Sequence, residues 1–266
     1  MGWFQINWQI KWRKWANEKI LSKENLEKAI KKAKQNKGAP GVDKMTVHDI
    51  EYWFEQYQEE LISKIMNKQD WPMPVKRVYI PKLNGKQRLL GIPTVVDRVI
   101  LQAMAQVLST IYEPIVSEHS YGFRPWRSAH MTMEEVLYYL NEGDEWIVDL
   151  DIEKFFDTVN HDKLISILRE NVNDATTLHL IRVYLRIGVL DKGLIKSTTV
   201  GTAQGGPISV FLSNIYLDKF DKEWESRNLR FARYADDCTI FTKSESRVNR
   251  VMKSVTSLLE RNYSWK

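Results

Sequence analysis

An α+β fold with an antiparallel sheet is predicted for this chain, and three observations carry the prediction. Two stretches read as β-hairpins: Val75–Ile80 with Arg88–Ile92 around Asn84-Gly85, and Arg230–Phe241. Long amphipathic helices lie between them, above all Val95–Tyr112, where Val96, Val99, Ile100, Ala103, Val107 and Ile111 fall on one side. The order mixes hairpins and helices without the regular β-α-β alternation of a parallel sheet.

The remaining elements follow from local punctuation. Phe4, Trp8, Trp12 and Trp15 recur at steps of four, four and three, one face of a helix, with Lys11, Arg13 and Lys14 between them. Ser22 is placed to cap the next helix, with Leu21 and Leu26 as its hydrophobic staple. Leu26, Ala29, Ile30 and Ala33 form its apolar face, and Gly38 and Pro40 stop it. A helix is expected over Ile50–Met66, a strand over Trp146–Asp151, and helices over Asn160–Glu170, Pro207–Glu225 and Arg247–Arg261.

The chain has 266 residues, enough for one large domain or two packed subdomains. With 43% hydrophobic and 27% charged residues it reads as soluble, and no run approaches the length of a bilayer-spanning helix. The N-terminus lacks an uninterrupted apolar stretch and a small-residue cleavage site, so no secretory signal is read and a cytoplasmic, bacterial setting is expected. A single cysteine, Cys238, excludes an internal disulfide and a cysteine-built zinc site. The five histidines, His48, His119, His130, His161 and His179, have no metal-ligand spacing and read as structural.

The net charge of +5 is uneven: residues 1–37 hold ten Lys or Arg against three Glu, an excess of seven on a near-neutral remainder. A basic arm of this kind suits a polyanion, although a solvated helix face is the plainer account. The aromatic stripe beside it is read as docking on the rest of the protein, with packing against RNA or a partner as alternatives.

The chemistry concentrates in two places. In the first, an apolar strand runs through Val148-Asp149-Leu150-Asp151 into Ile152-Glu153-Lys154-Phe155-Phe156-Asp157. The second is Tyr234-Ala235-Asp236-Asp237, flanked by Phe231, Ile240 and Phe241. A lone Asp in a turn is ordinarily a solvated residue. Adjacent carboxylates at the tip of an apolar hairpin repel each other and disfavour joint ionisation unless a cation compensates. Mg²⁺ takes hard oxygen ligands, accepts one or two protein carboxylates and keeps positions for substrate phosphates. Two such ions can clamp the attacking and leaving oxygens of a phosphoryl transfer. Asp151 and Asp236 would bridge both, Asp237 would complete the site, and the Ile152 carbonyl would be a further ligand.

At these residues the chain resembles the reverse transcriptases, and within them the group II intron-encoded, maturase type. Phe231-Ala232-Arg233 before Tyr234-Ala235-Asp236-Asp237 is similar to their signature hairpin, and Asp151 through Asn160-His161 to their first catalytic segment. Gly201-Thr202-Ala203-Gln204-Gly205-Gly206-Pro207 is similar to the segment between. Lys37 to Asp43, Ile80 to Pro93, and Glu118 to Pro125 with Arg127 to His130 extend the match, so the resemblance covers residues 20 to 260 in the family's order.

The resemblance implies a right-hand polymerase fold with fingers and palm, an antiparallel palm sheet packed on helices, and no thumb within these residues. It implies an N-terminal basic and aromatic helix over 1–20, fingers over 21–143, and palm over 144–266 with a fingers-like return around 171–207. The implied activity is RNA-directed DNA polymerisation, a nucleotidyl transfer of dNTPs onto a primer with two Mg²⁺ ions. Intron RNA binding and splicing would be roles of the full protein. RNA template, intron RNA, DNA primer and dNTPs are the implied partners, with no membrane. An exposed apolar palm edge makes a homodimer an expectation.

Individual roles follow the same resemblance. Phe156, five positions after Asp151, would sit under the incoming sugar and exclude a 2′-hydroxyl, while Phe155 packs in the core. Gln204 would contact the nucleotide or template base from its Gly-rich loop. Lys82 and Arg88 resemble cations that grip the triphosphate. A strict two-residue hairpin at Asn84-Gly85 pairs Lys82 with Gln87 and turns Arg88 to the other face, so that a bulge or longer loop is needed, or Lys86 takes the role. Arg124 and Arg127, interleaved with Tyr121, Phe123 and Trp126, suit a template strand; a packed aromatic loop is the equal alternative. Lys11, Arg13 and Lys14 would meet RNA.

The chain departs from the family pattern at Ala203, Leu89, Trp126 and Val210-Phe211, where Pro, Pro, Gly and Pro-Leu are usual. It also closes on Asn262 to Lys266 where further palm strands and a thumb would follow. Two other functions compete. One is an RNA-binding splicing cofactor whose polymerase site is inactive; the other is an RNA-dependent RNA polymerase, against which Phe156 speaks.

Overall fold

The computed structural model describes residues 16–69, 72–81, 85, 87–152, 155–196, 200–202 and 206–263, the side chains of 88 and 261–263 excepted. Helices α1 (Ala16–Ile20), α2 (Lys23–Gln35) and α3 (Ile50–Met66) lead into strands β1 (Val75–Pro81) and β2 (Gln87–Ile92) and the long helix α4 (Val95–Tyr112). Helix α5 (Ala129–Asn141), strand β3 (Trp146–Leu150) and helices α6 (Phe155–Thr158), α7 (His161–Arg169) and α8 (Ala175–Leu185) follow. The chain ends with β4 (Val189–Asp191), β5 (Leu194–Lys196), α9 (Pro207–Ser226), β6 (Arg230–Tyr234), β7 (Asp237–Thr242) and α10 (Glu245–Tyr263). By contacts it divides into two compact units: residues to Pro114 with His161–Ser209, and Ile115–Asn160 with Val210 onward. None of the helices is long and apolar enough to cross a membrane among the described residues.

The first unit is built on α4. Thr94 caps it, its hydroxyl accepting from the Asp97 backbone N–H at 3.1 Å and donating to the Asp97 carboxylate at 2.7 Å. The same carboxylate accepts from the Tyr184 hydroxyl at 2.9 Å, which ties α8 to the start of α4. Val95, Met104 and Leu108 are buried together with the expected Val99, Ile100, Ala103 and Val107. The helix is therefore covered on more than one side, as a central helix is. Ser22 caps α2 as expected, accepting from Asn25 N at 3.4 Å. The Lys37–Asp43 segment packs onto the cap of α4, where a Cβ on Gly41 would lie 2.7 Å from the Thr94 Cα. Arg98 anchors it by donating from Nη2 to the Ala39 carbonyl at 2.9 Å.

The sheet of this unit has the order β2-β1-β4-β5. Its β1–β4 contact is parallel, with Val75 opposite Val189, so the sheet is mixed rather than antiparallel throughout. The cause is connection length: β4 returns to β1 only after the chain has crossed the other unit, and a long crossover permits the parallel sense that a hairpin forbids. The β1–β2 register pairs Ile80 with Arg88 and Pro81 with Gln87. Gln87 thus lies opposite Pro81 and not Lys82, so the strict two-residue register at Asn84-Gly85 is not formed and the longer connection that the Lys82 and Arg88 reading needs is present.

The second unit holds an antiparallel sheet of order β3-β7-β6. Tyr139 of α5 packs against it, its ring 5.3 Å from that of Phe241, while α10 meets β3 and β7. Phe231 and Ile240 are fully buried, and Phe220 and Trp224 of α9 stack into the same core.

Candidate active site

The carboxylates come together because of strand register. Leu150 lies opposite Cys238 and Tyr234 opposite Asp237. One step beyond the Leu150–Cys238 pair therefore sets Asp151 opposite Asp237, and Ala235-Asp236 is the two-residue turn between β6 and β7. Side-chain alternation sends Val148, Cys238 and Ile240 into the core and leaves Asp149, Asp151 and Asp237 exposed. Asp237 is held above the ordinary carboxylate range by burial first, then by the negative charges of Asp236, Asp151 and Asp149. Four carboxylates thus share one end of one sheet. Burial also raises the Cys238 thiol well above its usual value, so this cysteine is packing material and not a ligand.

Among the described residues no three His, Cys, Asp or Glu side chains already stand in ligating positions. The donor set nevertheless fits a hard divalent cation. It is made of carboxylate oxygens alone, and the mutual repulsion felt by Asp237 is what such a cation would relieve. Asp151 and Asp237 are exposed and Asp236 is half-buried, so all three can be reached from solvent.

The turn is unusual for its sequence. Ala235 has φ +61°, a left-handed conformation that costs a residue with a Cβ about 1–2 kcal/mol. Two neighbours hold it there. Arg233, 1% exposed, donates from Nη1 to the Ala235 carbonyl at 2.8 Å and to Asn214 Oδ1 at 2.9 Å. Its Nε and Nη2 grip Asp221 of α9 at 2.5–3.0 Å, and Asp221 is itself fully buried. On the other side runs the segment His119–Gly122, bonded to β6 through Tyr121 N to Arg233 O and Arg233 N to His119 O, both 2.9 Å. A Cβ on Gly122 would lie 2.2 Å from the Ala235 nitrogen, so only glycine permits this approach. Asn214 Nδ2 closes the ring by donating to the Gly122 carbonyl at 2.7 Å.

The loop expected to meet a template strand holds its arginines against its own backbone and side chains. Arg124 is 8% exposed, and its Nη1 donates to the carbonyls of Ser117 and Ser120. Arg127 pairs with Glu118 and lies over the Tyr121 ring at 5.2 Å. The aromatics are what face solvent: Phe123 is 54% and Trp126 95% exposed, both at positive φ. Trp126 occupies a left-handed position, which explains why Gly is usual there in the resembling family. Phe155 is buried, 6.5 Å from the Tyr216 ring, and Phe156 stands half-buried at 5.3 Å from Phe155, edge to face.

Several expected residues lie outside the described residues: Lys82, Gln204, Lys11, Arg13, Lys14 and the side chain of Arg88. In the first unit, buried His161 meets the Gly201 carbonyl through Nε2 at 2.6 Å, beside the Gly-rich loop. Burial holds the His161 ring below the usual imidazole value, and its Nε2–H donates because the partner is a carbonyl oxygen. Arg233, Asp221, Asn214 and Gly122 escape a reading of the sequence as functional residues. The one signal is an arginine inside an otherwise apolar strand, Phe231-Ala232-Arg233, which has to find a buried partner.

The family described as reverse transcriptase (RNA-dependent DNA polymerase) matches residues 80–264, and the chain belongs to that family. Within it, the likeness is to the group II intron-encoded branch. The group II intron-encoded protein LtrA of Lactococcus lactis subsp. cremoris is 37% identical over 182 residues, covering 66% of this chain and 30% of that protein. Protein YkfC of Escherichia coli (strain K12) is 36% identical over 216 residues, 79% of this chain and 57% of that one. The chain thus spans little more than half of one relative and under a third of the other. Among solved structures, a partial Cas6-RT-Cas1–Cas2 complex superposes with TM-score 0.56 at 23% identity, over 92% of this chain and 42% of that one. Telomerase from Candida albicans does so with TM-score 0.56 at 14% identity, over 79% and 45%. These two likenesses establish the right-hand polymerase fold.

Proposed function

We propose that this chain is the polymerase portion of a group II intron-encoded reverse transcriptase, adding dNTPs to a DNA primer on an RNA template. The observation that carries the reading is the convergence of Asp151, Asp236 and Asp237 at one end of the β3-β7-β6 sheet. In the reaction the primer 3′-hydroxyl loses its proton to solvent, its oxygen bonds to the α-phosphorus, the bond from that phosphorus to the α,β-bridging oxygen breaks, and pyrophosphate leaves. Two Mg²⁺ ions, when bound, supply the positive charge that lowers the cost of the attacking and leaving oxygens. Asp151, Asp236, Asp237 and the Ile152 carbonyl are the residues that would hold them. Lys82 and Arg88 would grip the triphosphate, Gln204 would contact the nucleotide, and Arg127, Lys11, Arg13 and Lys14 would lie along RNA.

Residues from 144 onward are assigned to the palm, because they supply the whole carboxylate sheet. The fingers assignment of 21–143, with a return around 171–207, is supported by the β4–β5 hairpin joining the β1–β2 sheet. Intron RNA binding with a splicing role is assigned to the full protein. Self-association is supported by β3, a sheet edge on which Trp146 and Ile147 are exposed. Sedimentation should show a dimer that Ile147→Lys converts to monomer.

Phe156 is assigned as the sugar gate, its ring propped by buried Phe155. Phe156→Ala is expected to lower discrimination between dNTPs and rNTPs about 10–100-fold, read from the ratio of kcat/KM values in primer extension. An unchanged ratio would remove Phe156 from this role. The function is tested by primer extension on RNA with Mg²⁺, comparing dNTPs with rNTPs and wild type with Asp236→Ala. Aspartate-dependent dNTP extension supports the reading; RNA binding without extension would make the chain a binding platform.

A further inference from the structure

The pair Arg233–Asp221 does more than an ion pair requires. Asp221 is satisfied by Nε and Nη2 alone, in a bidentate grip. The remaining nitrogen, Nη1, reaches the other way, to the Ala235 carbonyl and to Asn214. Asn214 in turn holds the Gly122 carbonyl, and Gly122 lies against the Ala235 nitrogen. The peptide units on both sides of Ala235 are therefore restrained, one by a hydrogen bond and one by contact. The next two residues are Asp236 and Asp237. Arg233 cannot swing away, because it is 1% exposed and every alternative position leaves a buried carboxylate unpaired.

We propose that Arg233, locked by Asp221 and Asn214, is a positioning residue that fixes the left-handed turn at Ala235 and thereby sets how Asp236 and Asp237 are presented to divalent cations. The proposal rests on reading these carboxylates as metal-binding. It explains why a turn calling for φ > 0 at its first central position tolerates alanine: the geometry is imposed from beneath the sheet rather than by the turn residue. It also gives a function to the guanidinium nitrogen that the ion pair leaves over. Lysine could not replace it, since a point charge cannot bond in two opposite directions in one plane.

The test is the double variant Arg233→Met/Asp221→Leu in the full chain. Replacing both partners of a buried pair by apolar residues of similar volume is commonly neutral or stabilising, so the variant keeps its melting temperature but loses the Nη1 bond. Mn²⁺ affinity, measured by electron paramagnetic resonance, is expected to fall about tenfold. The kcat of primer extension should fall about 10–100-fold while KM for dNTP stays within about twofold, a split that a purely structural pair would not produce. A folded double variant with wild-type Mn²⁺ affinity and kcat overturns the proposal. Should the double variant not fold, Asn214→Ala and Ala235→Gly, which leave the ion pair intact, carry the test. Weakened Mn²⁺ binding in either supports the proposal, and wild-type binding in both overturns it. Asp236→Ala separates the two levels. If it binds Mn²⁺ and extends primers as wild type does, the metal reading itself fails. If it loses both while the double variant loses neither, only the positioning role fails.

Discussion

Asp236→Ala is expected to abolish primer extension on an RNA template, lowering the single-turnover rate by about a thousandfold or more, or ~4 kcal/mol of transition-state stabilisation. Asp236 is half-buried in the turn between β6 and β7, so its removal opens no core cavity and the melting curve should match wild type. Its charge is among those that raise Asp237, and the two carboxylates with Asp151 form one electrostatic unit. Groups that act as a unit give non-additive losses. Asp151→Ala is therefore expected to cost a similar factor, and the double variant little more than either alone. Extension within tenfold of wild type in the folded Asp236→Ala protein would end the assignment of this cluster as the catalytic centre.

Arg233→Met alone is expected to have the largest effect on stability, about 3–5 kcal/mol. Asp221 would stay fully buried and lose its counter-ion. The Ala235 carbonyl would also lose its donor, and Asn214 Oδ1 would lose one. Nearby Asp218 already suffers from burial, which with the Asp221 charge pushes its carboxyl up to about 6 although Ser117 N donates to it at 2.8 Å. A second carboxylate without a cation beside it makes the region worse. For a domain whose whole margin is about 5–15 kcal/mol, the variant should express poorly and show a sharply lowered urea midpoint. Adding Asp221→Leu should restore most of the loss, because the penalty lies in the unpaired charge and not in the missing bond. A single variant with a wild-type urea midpoint would mean that the pair is open to water in solution.

Much of this protein is legible in one dimension because the signals are local. Ile50–Met66 and Val95–Tyr112 match α3 and α4 residue for residue, since both runs lack Gly and Pro and the Thr94 side chain caps the second. The β6–β7 hairpin and the Ser22 cap follow from spacing and turn chemistry in the same way. Helix α5 is not legible, because Met131, Met133, Leu137 and Tyr138 remain exposed and only Tyr139 is buried, which leaves no single apolar face. The parallel β1–β4 pairing and the β1–β2 register depend on crossover and long-range contact, which propensity does not encode.

The site divides along the same line. The sequence by itself determined which carboxylates stand close together in apolar segments, Asp151, Asp236 and Asp237, and such neighbours repel one another wherever they fold. Tertiary structure alone decided what each arginine is held against. Arg124 and Arg127, read as template contacts, spend hydrogen bonds on their own loop, while Arg233, an ordinary strand position by spacing, is the buried cation beneath the turn. A charge takes its role from the partners left within reach after burial, and those partners, Asp221 on a helix and Gly122 on a distant loop, come from parts of the chain that only folding brings to one place.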